Sequence, residues 1–132
     1  DIATLAEELH IPVYKTVGIY AMDEEIVTGT NHILEKYHVP YLPMIHCFLV
    51  YGSYRVDLTE GNMNGKNRSI EEFLFTEKVI PNISEKDEYL VYKTALKNDI
   101  LNQKEMEGIK MMDVLRARAD GIALLRSKVS LK

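Results

Sequence analysis

The chain has 132 residues and a formal charge of -4, from 20 acidic and 16 basic side chains, a length suited to one domain with a real core. Mild acidity without long charge blocks gives no basic face of the kind that nucleic-acid or polyanion binding requires, and a single cysteine, Cys47, excludes an internal disulfide framework and any Cys-rich zinc site. No apolar run reaches the length of a membrane span and no basic-then-apolar leader opens the chain, so the expectation is a cytoplasmic protein without a membrane partner.

Residues 1–9 place Ile2, Leu5, Ala6 and Leu9 at helical spacing beside Glu7 and Glu8, which predicts an amphipathic helix ended by Ile11-Pro12. The chain thus opens inside a helix or at its cap, as expected of a fragment or of simple terminal trimming. Val13 to Tyr20 reads as a strand in which Gly18 allows a close approach or a bulge. Between Ala21 and Gly29 stand three consecutive acids, Asp23, Glu24 and Glu25. Consecutive acids point in different directions unless a loop folds around an ion, so a solvated loop or helix start is favoured over a cation site. Thr30 to Tyr37 predicts a short helix packing through Ile33, Leu34 and Tyr37, and Pro40 and Pro43 stiffen the extended stretch that follows.

Met44 to Tyr51 is an almost continuous apolar run, as expected for an interior strand covered on both faces. Tyr54 to Leu58 returns beside it across Gly52-Ser53, a two-residue loop whose leading glycine suits a type II′ turn. This register pairs Tyr51 with Tyr54, Phe48 with Asp57 and His46 with Thr59. Because the strand period is two, His46 and Asp57 become diagonal neighbours on one face, close enough for an imidazole to donate to a carboxylate. Such a pair is the base and orienter of a nucleophile–base–orienter system, with the nucleophile missing.

Glu60 to Arg68, rich in glycine and asparagine, forms a loop beside this pair and is a candidate wall or lid. Ser69 to Glu72 matches a capping box and predicts a helix to about Lys78 that buries Phe73 and Leu74. Pro81 and Asn82 break it, and Ser84 with Asp87 starts another helix running through Tyr89 and Leu96 to Ile100. Asn102 and Glu105 repeat the capping pattern before a last long helix to about Lys128, with Met106, Ile109, Met112, Leu115, Ala119, Ile122 and Leu125 as its apolar positions. This tail is expected to cover the sheet or form a dimer surface, its methionines acting as ordinary core filling.

The fold class expected is α+β: an antiparallel sheet containing a His/Asp hairpin, packed against helices, with a helical C-terminal tail. One domain spans residues 1–132, with the core over 1–80 and a helical extension over 81–132. No glycine-rich phosphate loop, HExxH helix, dinucleotide fingerprint or GxSxG elbow occurs, and no cofactor is expected. Each site residue also has a structural reading. His46 could be a strand histidine satisfied by a backbone carbonyl, and Asp57 a strand-end residue pairing with Lys66 or Arg68; a one-residue slip would put them on opposite faces. Cys47 adjoins His46 in the strand, so its side chain should point the other way, as a small buried hydrophobe rather than a nucleophile. His10, His32 and His38 show no ligand spacing, and His46 with Asp57 lacks a third metal ligand.

Leu5-Ala6-Glu7-Glu8-Leu9-His10-Ile11-Pro12-Val13, then His46 in Met44-Ile45-His46-Cys47-Phe48, then Asp57 in Tyr54-Arg55-Val56-Asp57 resemble, in order and spacing, the transglutaminase-like branch of the papain-like cysteine hydrolases. In that family a helix carries the catalytic cysteine at its start, a strand follows, and a later hairpin carries the catalytic histidine and aspartate. The resemblance covers residues 1–60 and implies a transglutaminase-like core with His46 and Asp57 as catalytic residues. No cysteine precedes Cys47, which implies either a nucleophile upstream of Asp1 or a degenerate, non-catalytic member; these 132 residues alone should be inactive by this route. In a complete form His46 would take the thiol proton, Asp57 would orient the ring, and the thiolate would attack a carbonyl carbon of a protein or peptide amide. Water as acceptor gives hydrolysis or deamidation, and an amine gives crosslinking. The alternative is a binding or structural module that uses the 60–68 loop, or the C-terminal helices as a homo-oligomer contact.

Overall fold

A computed structural model describes residues 13–51, 54–57, 66–68 and 70–130. The expected N-terminal helix, the Gly52-Ser53 turn and most of the 60–68 loop lie outside the described residues. The architecture is α+β. A four-stranded antiparallel sheet has the order β3-β2-β1-β4, built from β1 (Val13–Met22), β2 (Leu42–Tyr51), β3 (Tyr54–Asp57) and β4 (Phe75–Val79). Among the described residues three helices accompany it: α1 (Thr30–Tyr37), α2 (Glu85–Asn98) and α3 (Met111–Ser130). Among the described residues no helix is long and apolar enough to cross a membrane.

β1 is the central organiser. Val17 and Ile19 are wholly buried on one face, and Tyr20 and Met22 are buried on the other, so its backbone groups need partners along both edges. β2 pairs with one edge, Val13 opposite Tyr51 through Met22 opposite Leu42. β4 takes the second, with Ile19 opposite Phe75 and Lys15 opposite Val79. This corrects the helix expected over 69–78. Residues 70–73 have no regular structure and 75–79 form a strand. A capping box is worth about 1 kcal/mol, which is less than the cost of leaving a buried strand edge unpaired. Local signal lost to tertiary demand.

The two faces of the sheet carry separate cores. On one, Tyr20, Met22, Leu42 and Met44 pack with Ile33 of α1 and Ala117 of α3. On the other, Ile19 and Tyr41 pack with Tyr92, Ala95 and Leu96 of α2 and Val114 of α3. Ser84 caps α2 by accepting from the Asp87 N–H at 3.1 Å, as the sequence pattern predicts, and the buried Tyr92 hydroxyl donates to the Pro43 carbonyl at 2.6 Å. Residues from both α2 and α3 thus complete cores begun by the sheet.

The last helix starts at Met111, later than the capping pattern at Asn102 suggests. Two 3-10 turns, Ile100–Asn102 and Lys104–Met106, precede it, and Gly108 at φ 82 lies in the left-handed region that glycine adopts at little cost. Asn102 is engaged by the helix before it, donating to the Asn98 carbonyl at 2.7 Å. The buried stripe of α3 is Val114, Ala117 and Gly121, while Met112 is 57% exposed. This stripe is rotated from the expected one because small residues let the helix approach β2 closely: a Cβ on Gly121 would stand 2.6 Å from Leu42 Cδ2.

Candidate functional site

Two of the three consecutive acids, Asp23 and Glu24, are used within their own turn, and the third, Glu25, faces Arg68. Glu24 accepts from the N–H groups of Gly29 and Asn31 and so caps α1, and those backbone donors hold its carboxyl below the usual range. Asp23 accepts from the Ile26 N–H at 3.0 Å. The end of the 60–68 loop is fastened to this turn: the Asn67 N–H donates to the Ile26 carbonyl at 2.6 Å and its amide to Thr28 Oγ1 at 3.0 Å. Arg68 stands 3.6 Å from Glu25.

His46 lies on β2 and is buried, on the sheet face shared by Tyr20, Met44 and Phe48 (strand period two, partners in register with β1). Two rings contact its imidazole. Phe73 is near-parallel, at 6.2 Å between centroids and 15° between planes, and Tyr20 presents an edge at 6.3 Å and 89°. Phe73 reaches this position because His46 pairs with Gly18, whose missing side chain leaves the room; a Cβ there would stand 2.5 Å from Phe73 Cδ1. Arg55 of β3 completes the layer, its guanidinium 5.4 Å from the Phe48 ring centre and 5.3 Å from that of Phe73, donating to the Ile70 carbonyl.

The β2–β3 register pairs Tyr51 with Tyr54 and Phe48 with Asp57. Asp57 therefore occupies the position diagonal to His46 on the same face. Thr59, expected opposite His46, lies outside the described residues. Cys47 sits on the opposite face, in register with Val17, beside the Lys15–Glu88 ion pair at 3.0 Å. Burial, then the adjacent Glu88 carboxylate, pushes its thiol up to about 11, against the weaker opposing pull of Lys15. That environment disfavours a thiolate at neutral pH, and the sheet separates it from the imidazole. His32 and His38 are exposed on α1 and at its end, and His10 lies outside the described residues. Among the described residues no three His, Cys, Asp or Glu side chains converge as a metal site.

A cleft of about 370 Å³ adjoins this layer, with Tyr20, Phe73, Ile26, Ile70, Asp23 and Arg68 among its walls. The two rings that touch His46 are thus also walls of the cleft. Phe73, Tyr20 and Arg55 went unnoticed as site residues in the sequence reading. Gly18 opposite a strand histidine carried the only hint, since it marks a place where something approaches the sheet closely. Compared with known proteins, the chain matches no family model, no curated protein and no solved structure.

Proposed function

We propose that His46 and Asp57 are the base and orienter of a cysteine-dependent acyl-transfer centre acting on a protein or peptide amide, in a transglutaminase-like core whose thiol lies outside these 132 residues. The observation that carries this reading is the β2–β3 register: Phe48 opposite Asp57 sets Asp57 diagonal to His46 on one face. A carboxylate there would fix the imidazole tautomer and stabilise the imidazolium formed when the thiol proton is taken. Cys47 is an unsuitable nucleophile, on the far face with a raised thiol, so the thiol must come from another segment. The resemblance of residues 5–13 to the end of a cysteine-bearing helix directs that expectation upstream of Asp1. The test treats the natural gene product with an electrophilic amide-mimicking thiol probe. Labelling of an upstream cysteine that is lost in His46→Ala supports the reading; labelling indifferent to His46, or no such cysteine, ends it.

A second reading rests on burial. His46 is 6% exposed, enclosed by Tyr20 and Phe73, as a histidine in a non-catalytic binding or structural module would be. The two readings separate on the same experiment, because only an acyl-transfer centre makes thiol labelling depend on the imidazole.

A further inference from the structure

We infer that Phe73 is a positioning residue for His46: its ring sets the plane of the imidazole and controls access to it from the adjoining cleft. As a statement about catalysis this rests on the acyl-transfer reading; as a statement about access it stands by itself. His46 is enclosed by the strands and by two rings, Tyr20 and Phe73, which both line the cleft. The two rings differ in how they are held. Tyr20 belongs to β1, paired with Met44 in the interior of the sheet and 1% exposed, so moving it would disturb the ladder and the core. Phe73 is half-buried in the irregular connection before β4 and takes no part in a strand ladder.

The seat of the Phe73 ring is specific. It fills the space over Gly18 that any Cβ would occupy, lies near-parallel to His46, and is capped by the Arg55 guanidinium, which also lies over Phe48. The backbone next to it is tied down: the Leu74 N–H donates to the Ile19 carbonyl at 2.7 Å, and Arg55 donates to the Ile70 carbonyl. Both ends of the segment are therefore held while the ring between them borders about 370 Å³ of open cleft. A χ1 change at Phe73 swings the ring into that space with the sheet intact, which is a side-chain motion rather than a refolding one. The imidazole is then exposed toward the cleft, where a substrate carbonyl and thiol would meet it.

The test is carbethoxylation by diethyl pyrocarbonate, which acylates accessible neutral imidazole nitrogens, followed residue by residue by peptide mass. If access needs a minor open state populated at 10% or less, removing the ring should accelerate modification of His46 by about tenfold or more. Phe73→Ala should show this rise with the rates at His32 and His38 unchanged, and Phe73→Leu, which refills the seat, should restore slow modification. Gly18→Ala supplies the second arm, because it keeps the ring but drives it from its seat, and should also accelerate His46. Equal rates at His46 in the parent, Phe73→Ala and Gly18→Ala would overturn the inference, as would a rise at His46 matched by faster alkylation of the half-buried Cys47 on the opposite face, which marks general loosening. Carbethoxylation requires no thiol and no turnover, so failure of the acyl-transfer reading would leave this result intact, and the converse.

Discussion

Phe73 stands where a side chain on Gly18 would be: a Cβ at that glycine would lie 2.5 Å from the ring's Cδ1 and 3.1 Å from the carbonyl oxygen of His46. One residue without a side chain in β1 thus lets an aromatic ring from outside the ladder lie beside the buried imidazole of β2. Gly18→Ala is therefore expected to destabilise the fold by about 1–3 kcal/mol, the usual cost of overpacking. Urea unfolding followed by circular dichroism checks it, and a variant as stable as the parent would show that the ring leaves at no cost.

Gly121 poses a sharper contest. Glycine inside a helix costs about 1 kcal/mol relative to alanine, so propensity alone favours Gly121→Ala. The added Cβ would meet Leu42 Cδ2 at 2.6 Å and the Met44 sulfur at 3.2 Å, both in the buried core of β2. Packing is expected to win, with a net loss of about 1–2 kcal/mol in chemical denaturation. A stabilised Gly121→Ala would mean that α3 lies farther from the sheet.

The hydroxyl of Tyr92 is buried and donates to the Pro43 carbonyl across the α2–sheet interface. Tyr92→Phe keeps the ring and leaves that carbonyl without this donor, a loss of about 1–2 kcal/mol. Arg118 lies over both Tyr89 and Tyr92, contacts that the phenylalanine retains, so the effect should reflect the hydrogen bond and be smaller than that of Tyr92→Ala.

Cys47 should be sluggish toward iodoacetamide at neutral pH, because its thiol is pushed up to about 11, first by burial and then by the Glu88 carboxylate. Raising the pH through that value should release the reactivity. Glu88→Gln removes a negative charge that disfavours the thiolate, so its rate profile should move to lower pH; Lys15→Met removes the opposing cation and should move it up. A thiol already reactive at pH 7 in the parent would contradict the account of that face.

Asp120 joins α3 to α1 by accepting from Lys36 Nζ at 3.0 Å and from the Tyr37 hydroxyl at 2.9 Å, and these donors hold its carboxyl below its ordinary value of 3.8. A depressed carboxylate contributes stability above the unfolded-state value and loses it as pH falls through the folded one. Asp120→Asn should therefore flatten the acid limb of stability below about pH 4, and it should flatten the alkaline limb as well, because the same contact raises Lys36 above its ordinary value of 10.5. The pair is solvent-exposed, so the effect should shrink in 0.5 M salt.

Legibility in the sequence followed the range of the interactions. The β2–β3 register was readable because a two-residue loop between two short strand-like runs leaves little freedom, and it places Phe48 opposite Asp57 as expected. The opposite orientation of Cys47 followed from strand periodicity alone. Ser84 was readable as a cap because capping is local. β4 was not, because the demand that makes Phe75–Val79 a strand comes from the far edge of β1, while Ser69 to Glu72 carries a helix-start pattern. The phase of α3 was hidden for a related reason: a glycine and an alanine, Gly121 and Ala117, face the sheet where apolar periodicity points to larger side chains. Phe73 beside His46 depended on both, since it needed the strand β4 and the gap at Gly18.

The most direct test of the central claim is nitrogen-15 NMR of the His46 imidazole in the folded chain, compared with Asp57→Asn. If Asp57 orients His46, the parent shows one tautomer with a slowly exchanging ring N–H proton, and Asp57→Asn loses that preference while Phe48 stays paired with residue 57. An imidazole spectrum unchanged by the substitution would contradict the pairing, and His46 would then be a core histidine held by its aromatic neighbours.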